Sequence, residues 1–103
     1  MLEFTDTNFQ TQVLDDPGLV LADFWAAWCR PCHALSPTLE RVENSNPSVK
    51  VGKVNIDENP ETTAHFQINA VPTVLLFKGG ELVKRFVGLQ NEAVFTEVLN
   101  ENA

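Results

Sequence analysis

At 103 residues, 44% of them apolar and only two of them cysteine, the chain has the length of one domain and enough apolar surface for a core without disulfide staples. Its formal charge of −7 argues against a general nucleic-acid or anionic-membrane surface, both of which need clustered Lys and Arg. No apolar run approaches the roughly 18 residues of a membrane span, and the start Met1-Leu2-Glu3-Phe4-Thr5-Asp6 has neither the basic nor the apolar region of an export signal, so a cytoplasmic protein is expected.

Leu2 to Phe4 reads as a short edge strand. Thr5, Asp6 and Thr7 offer N-cap oxygens, and Phe9 with Val13 at i, i+4 predicts a short amphipathic helix that ends at Asp15-Asp16-Pro17-Gly18. Leu19 to Trp25 is a strand buried on both faces: Leu19, Leu21 and Trp25 share one, Val20, Ala22 and Phe24 the other. Asp23 falls among the first set, where an unpaired carboxylate is costly, so it needs a partner or a raised pKa. A helix then runs from about Pro31 to Asn44; Pro31 suits its first turn, whereas Pro37 removes the bond to the His33 carbonyl and should kink it.

Val49 to Ile56 is the next strand. Lys53 shares a face with Val49 and Val51, which suggests Asp23 as its partner; the bland alternative is a stem that snorkels to solvent. Asn59 as N-cap and Pro60 at the first helical position open a short helix that runs to Gln67. Thr73–Lys78 and Glu81–Val87 flank Gly79-Gly80, a hairpin signal, and Gly88 breaks the second strand. Asn91 to Asn100 carries Val94, Phe95, Val98 and Leu99 at helical spacing. The order βαβαβαββα predicts an α/β fold of three layers, α/β/α. A central mixed five-stranded sheet is flanked by four helices, with parallel early crossovers and an antiparallel last hairpin.

The chemistry centres on Trp28-Cys29-Arg30-Pro31-Cys32-His33, which holds both cysteines. Linking thiols two residues apart constrains little chain, so the pair reads as chemical rather than architectural. A structural zinc site wants four ligands and here finds one cysteine pair with His33 and His65; an iron–sulfur cluster is short of thiolates. Cys29-Arg30-Pro31-Cys32-His33 matches the c-type haem attachment pattern, but the only methionine is Met1 and the apolar pattern is used up by sheet and helices. Thiol–disulfide exchange suits a strand that delivers thiols to the mouth of a helix, where dipole and free N–H groups stabilise a thiolate. Cys29 is then expected to be the exposed, readily ionised nucleophile and Cys32, one turn in, the more buried second thiol. Pro31 restricts the loop between them.

Asp23-Phe24-Trp25-Ala26-Ala27-Trp28-Cys29-Arg30-Pro31-Cys32 resembles the active-site region of the thioredoxin family. Lys53-Val54-Asn55-Ile56-Asp57 resembles its third strand and Val71-Pro72-Thr73 its cis-proline loop, with Gly79-Gly80 and Phe86-Val87-Gly88 following at the family's spacing. The resemblance implies one thioredoxin domain over residues 1–103 that acts as a protein-disulfide reductase and electron carrier in redox homeostasis. It implies attack by Cys29, resolution by Cys32 to leave a Cys29–Cys32 disulfide, Asp23 as acceptor of the Cys32 proton, and Lys53 tuning it. Pro72 would be cis, and Trp28, Ala70, Val71, Pro72 and Gly88 would form an apolar docking surface, or else simply pack the loops. No bound cofactor or metal is implied. Electrons would come from NADPH through an FAD-containing thioredoxin reductase, the clients would be disulfide-containing proteins, and a monomer is expected.

Arg30 stands where the family usually carries Gly, His33 where it carries Lys, and Ala70 where Gly is frequent. The Arg30 guanidinium is expected to stabilise the Cys29 thiolate and make a slightly weaker reductant, or else to be solvated without effect. His33 is either another tuning group or a plain solvent-facing residue, and His65 is expected at the surface. Two other roles stay open: a binding module that uses the same face as a subunit partner, and an oxidant or isomerase.

Overall fold

Leu19–Trp25 forms the middle of the molecule because both of its faces are apolar. The computed structural model describes residues 1–103. Its strands are β1 (Leu2–Glu3), β2 (Leu19–Trp25), β3 (Lys50–Asn55), β4 (Thr73–Lys78) and β5 (Glu81–Val87), joined in the order β1-β3-β2-β4-β5. β1 and β2 both run parallel to β3, while β4 is antiparallel to β2 and to β5. The helices are a short first one (Gln10–Leu14), α1 (Arg30–Ser45), α2 (Pro60–His65) and α3 (Glu92–Glu101).

Alternation along β2 divides the core in two. Leu21 packs with Leu35, Leu39 and Val42 of α1 and Phe95 and Leu99 of α3. On the other face Val20, Ala22 and Phe24 pack with Phe4, Phe9, Val13 and Phe77, with Phe66 and Ile68 against them. Each fully buried side chain of this kind contributes about 1.5–3 kcal/mol. Gly52 is needed where Phe4 lies on β3, since a Cβ there would collide with the ring. Gly79 and Gly80 both take positive φ in the β4–β5 turn, which a side chain would strain.

Two local expectations are corrected. The first helix is π-helical, with Asp15 N bonded to Gln10 O at 2.8 Å; Phe9 and Val13 are buried all the same, because the i, i+4 apolar pair does not discriminate between the two windings. Asn59 is the N-cap residue of α2, with Pro60 at the first helical position, but its side chain makes no capping bond, because it accepts from Asp6 N at 2.9 Å and donates to Asn55 O at 3.0 Å. The acceptor for the first N–H groups of α2 is Asp6, whose carboxylate accepts from Thr62 N at 2.8 Å, Thr62 Oγ1 at 2.6 Å and Glu61 N at 3.1 Å. Thr5 serves the turn that precedes the first helix, its hydroxyl accepting from Asn8 N at 3.2 Å. α1 is continuous from Arg30 to Ser45, with Pro37 inside it and exposed.

Candidate active site

The C-terminal end of β2 feeds α1 through Ala26-Ala27-Trp28, and Cys29 is the N-cap of the helix with Pro31 in its first turn. Cys29 Sγ accepts the Cys32 N–H at 3.2 Å. A donor that the helix itself leaves free therefore points at this sulfur, and it would stabilise negative charge there. Cys29 and Cys32 are joined in a disulfide. The expected contrast in exposure is absent: Cys29 is 4% and Cys32 3% exposed. Cys29 packs with Ala26 and Cys32 under Trp25, Ile56 and Val71, and its sulfur lies 3.7 Å from Val71 O, so the loop that carries Pro72 covers it. Arg30 and Pro31 are exposed on the first turn.

Behind the disulfide is a cavity of about 120 Å³ lined by Asp23, Trp25, Cys32, His33, Ser36 and Lys53. Asp23 is 3% exposed, and its Oδ1 has no hydrogen-bond partner; Trp25 Nε1 is likewise buried and unpaired. Burial pushes the Asp23 carboxyl up from its ordinary 3.8 to about 7, against the opposing pull of the Lys53 charge. Asp23 and Lys53 are register partners across β2 and β3 but form no ion pair. The Lys53 ammonium lies over the Trp25 ring instead, 4.9 Å from its centroid. The pairing read from the strand faces is thus a through-space interaction across one cavity, with the aromatic face holding the cation. A carboxyl that titrates near neutrality beside the buried Cys32 is suited to exchange a proton with it.

Around the sulfurs the surface is apolar and open. Trp28 is 69% exposed, held by a bond from its Nε1 to Asp57 Oδ2 at 3.0 Å. Trp28, Ala70 and Val71 line a shallow hollow of about 100 Å³ with Ile56, Ile68 and Asn69. The Val71–Pro72 peptide is cis. Pro72 O accepts from Gly88 N at 2.8 Å, and Thr73 Oγ1 donates to Ala70 O at 2.6 Å. Those bonds bring Ala70, Val71, Pro72 and Gly88 to one edge with Trp28. A larger hollow of about 290 Å³, lined by Gln67, Asn69, Ala70, Thr73, Arg85 and Val87, lies beside this edge and away from the sulfurs.

Residues absent from the sequence reading of the site also converge here. Val87 and Leu89, 54% and 57% exposed, flank Gly88; two large apolar side chains around a strand-ending glycine were the available signal. Ser36 follows Cys32 by one helical turn and so shares its face. Asp57 had no such signal. His33 is exposed on the first turn of α1, as one reading of the sequence has it, and its side chain is also engaged: its Nε2 is 2.8 Å from Ala27 O, and its ring packs edge-on to Trp25 at 6.0 Å. No three His, Cys, Asp or Glu side chains are grouped to hold a metal ion. His65 is exposed on α2. No helix is long and apolar enough to cross a membrane.

Comparison with known proteins bears on which cysteine chemistry this is. A family model described as thioredoxin matches residues 1–101. The chain is 49% identical over 90 residues to a thioredoxin of Alicyclobacillus acidocaldarius, covering 86% of this chain and 85% of that one. It is 45% identical over 104 residues to a thioredoxin of Buchnera aphidicola subsp. Acyrthosiphon pisum, covering 99% and 95%, and 41% identical over 101 residues to one of Mycobacterium tuberculosis, covering 97% and 87%. Members of this family exchange electrons with disulfide-containing substrates and with a reductase, and need no bound cofactor. Likeness of that extent, added to a bonded cysteine pair at a helix mouth, leaves thiol–disulfide oxidoreduction as the activity: the chain belongs to the thioredoxin family.

Proposed function

We propose that the 103 residues act as one monomeric domain that reduces protein disulfides, with Cys29 as nucleophile and Cys32 as resolving thiol. The observation that carries this reading is the Cys32 N–H on Cys29 Sγ at 3.2 Å, a donor that favours thiolate at Cys29 over Cys32. The Cys29 thiolate attacks one sulfur of a client disulfide; a mixed disulfide forms and the other client sulfur leaves as thiolate. Asp23, ionised, takes the Cys32 proton, and the new Cys32 thiolate attacks Cys29 Sγ. The Cys29–Cys32 disulfide forms, and the second client sulfur leaves. Two electrons pass to the client, and one proton from Cys32 and one from solvent end on its thiols.

Lys53 tunes the Asp23 carboxyl through its charge, and Pro31, Arg30 and His33 tune the thiols from the first turn of α1. The client docks on Trp28, Ala70, Val71, Pro72 and Gly88, with Val87 and Leu89 extending that face; its peptide runs along the Val71 backbone. The dithiol is regenerated by NADPH through an FAD-containing thioredoxin reductase, which supplies the flavin. Such a cycle belongs in a reducing compartment, the cytoplasm.

The test is reduction of a model protein disulfide with NADPH and a thioredoxin reductase. Turnover with the wild-type chain and none with Cys29→Ser is expected. Equal NADPH consumption by Cys29→Ser would refute the assignment.

A further inference from the structure

The steps above leave a proton on Asp23, and a carboxyl 3% exposed needs a way to pass it to water. Of the six residues that line the Asp23 cavity, Asp23 and Cys32 are buried, Trp25, Ser36 and Lys53 are half-buried, and only His33 is exposed. We propose that His33 is the proton port of this cavity: it carries the proton between Asp23 and solvent as Cys32 ionises for its attack. The inference rests on the assignment of Asp23 as proton acceptor made above.

The ring is fixed for this role. Ala27 O is only an acceptor, so the 2.8 Å contact requires a proton on Nε2. The exchangeable nitrogen is therefore Nδ1, a lone pair in the neutral ring and an N–H in the cation. Edge-on packing against Trp25, itself a cavity wall, fixes the imidazole in the lining of the cavity. The cavity is roomy and polar enough for water to bridge from Asp23 to the ring. Two buried polar atoms with no protein partner, Asp23 Oδ1 and Trp25 Nε1, belong to residues that line it.

The charges around this path are few. β2 contributes Asp23, β3 contributes Lys53, and α1 contributes Cys32 with Arg30 three residues before His33 on the helix surface. In balance, Asp23–COOH and neutral His33 give Asp23–COO⁻ and imidazolium, and Nδ1 then releases the proton to water or to the departing client thiolate. Reduction of the Cys29–Cys32 disulfide runs the same path inward. His33 touches neither reacting sulfur; it acts through Asp23.

The experiment is stopped-flow oxidation of the reduced protein by a model disulfide from about pH 6 to pH 9, followed by tryptophan fluorescence. His33→Gln keeps a donor for Ala27 O but cannot exchange a proton; His33→Arg keeps a charge but cannot exchange one either. Both are expected to slow the resolving step about tenfold. That is below the roughly 10²–10⁴ of a group at the reacting atoms, because His33 acts one step away. Added imidazole should restore the rate in a concentration-dependent way, and His33→Gln should add nothing in an Asp23→Asn background. Rates and pH profiles within twofold of wild type for His33→Gln would overturn the inference. So would wild-type behaviour of His33→Arg, or a deficit that imidazole does not rescue. Those failures leave disulfide reduction intact, whereas an Asp23→Asn protein with unchanged kinetics would remove the reading on which the inference rests.

Discussion

Replacing Asp23 by Asn removes a carboxylate that the fold holds against its preference to be solvated. Asp23 is 3% exposed, its Oδ1 is unpaired, and the Lys53 ammonium sits over Trp25 rather than on the carboxylate. Burial therefore outweighs the Lys53 charge and raises the carboxyl from 3.8 to about 7. Between those values the folded chain keeps a proton that the unfolded chain has released, so stability falls as pH rises through the window and is flat above it. At about 1.4 kcal/mol per pH unit, the loss approaches about 4 kcal/mol by pH 8. Asn carries no charge, so Asp23→Asn escapes this loss, although its own buried amide returns part of the gain. The expected result is a variant near wild-type stability at about pH 4 and about 3 kcal/mol more stable at pH 8, close to 1 M in guanidinium midpoint. Guanidinium unfolding of the oxidised protein at four pH values measures it. A pH-independent difference, or a variant less stable than wild type at pH 8, would refute the reasoning.

Two further substitutions test other elements. Arg30 is exposed beside Cys29, where two charges ~4 Å apart interact by about 1 kcal/mol in water-like surroundings. At about 30 mV per 1.4 kcal/mol, Arg30→Gly should move the reduction potential about 20 mV more negative in a glutathione redox titration, and a less negative value would show the sign to be wrong. Asp6→Ala deletes the acceptor of three hydrogen bonds at the start of α2 and should cost about 1–2 kcal/mol near pH 7 by urea unfolding. Burial pushes the Asp6 carboxyl up, but the Thr62 hydroxyl and the Thr62 and Glu61 amides hold it below its usual range. The native form thus favours the ionised acid, and the difference between variant and wild type should shrink as pH falls through that range; a constant difference would contradict the assignment.

Much of this architecture was legible because the two periodicities are local. Alternation in Leu19–Trp25 named which residues would enter each half of the core, and Gly79-Gly80 marked the hairpin to the residue. Strand direction is not carried by a period of two: nothing in Thr73–Lys78 says that it runs against β2. Long-range polar choices were also hidden. Asn59 holds the cap position before Pro60, yet the first N–H groups of α2 bond to Asp6, from near the start of the chain, and not to the Asn59 side chain. Lys53 found an aromatic face instead of Asp23, because Trp25 presents one on the same side of the sheet. The burial of Cys29 depends on the Val71–Pro72 loop packing over it, which is a tertiary fact. His33 was ambiguous in sequence because only the fold shows which cavity its turn of helix overlooks.

The central claim is the division of labour between the two cysteines, and trapping tests it most directly. Cys32→Ser, reduced and mixed with a disulfide-containing protein, should accumulate a mixed disulfide through Cys29, visible by mass spectrometry and released by dithiothreitol. Cys29→Ser should give none under the same conditions. Stable adducts on Cys32 of the Cys29→Ser protein, with none on Cys29 of the Cys32→Ser protein, would contradict the account.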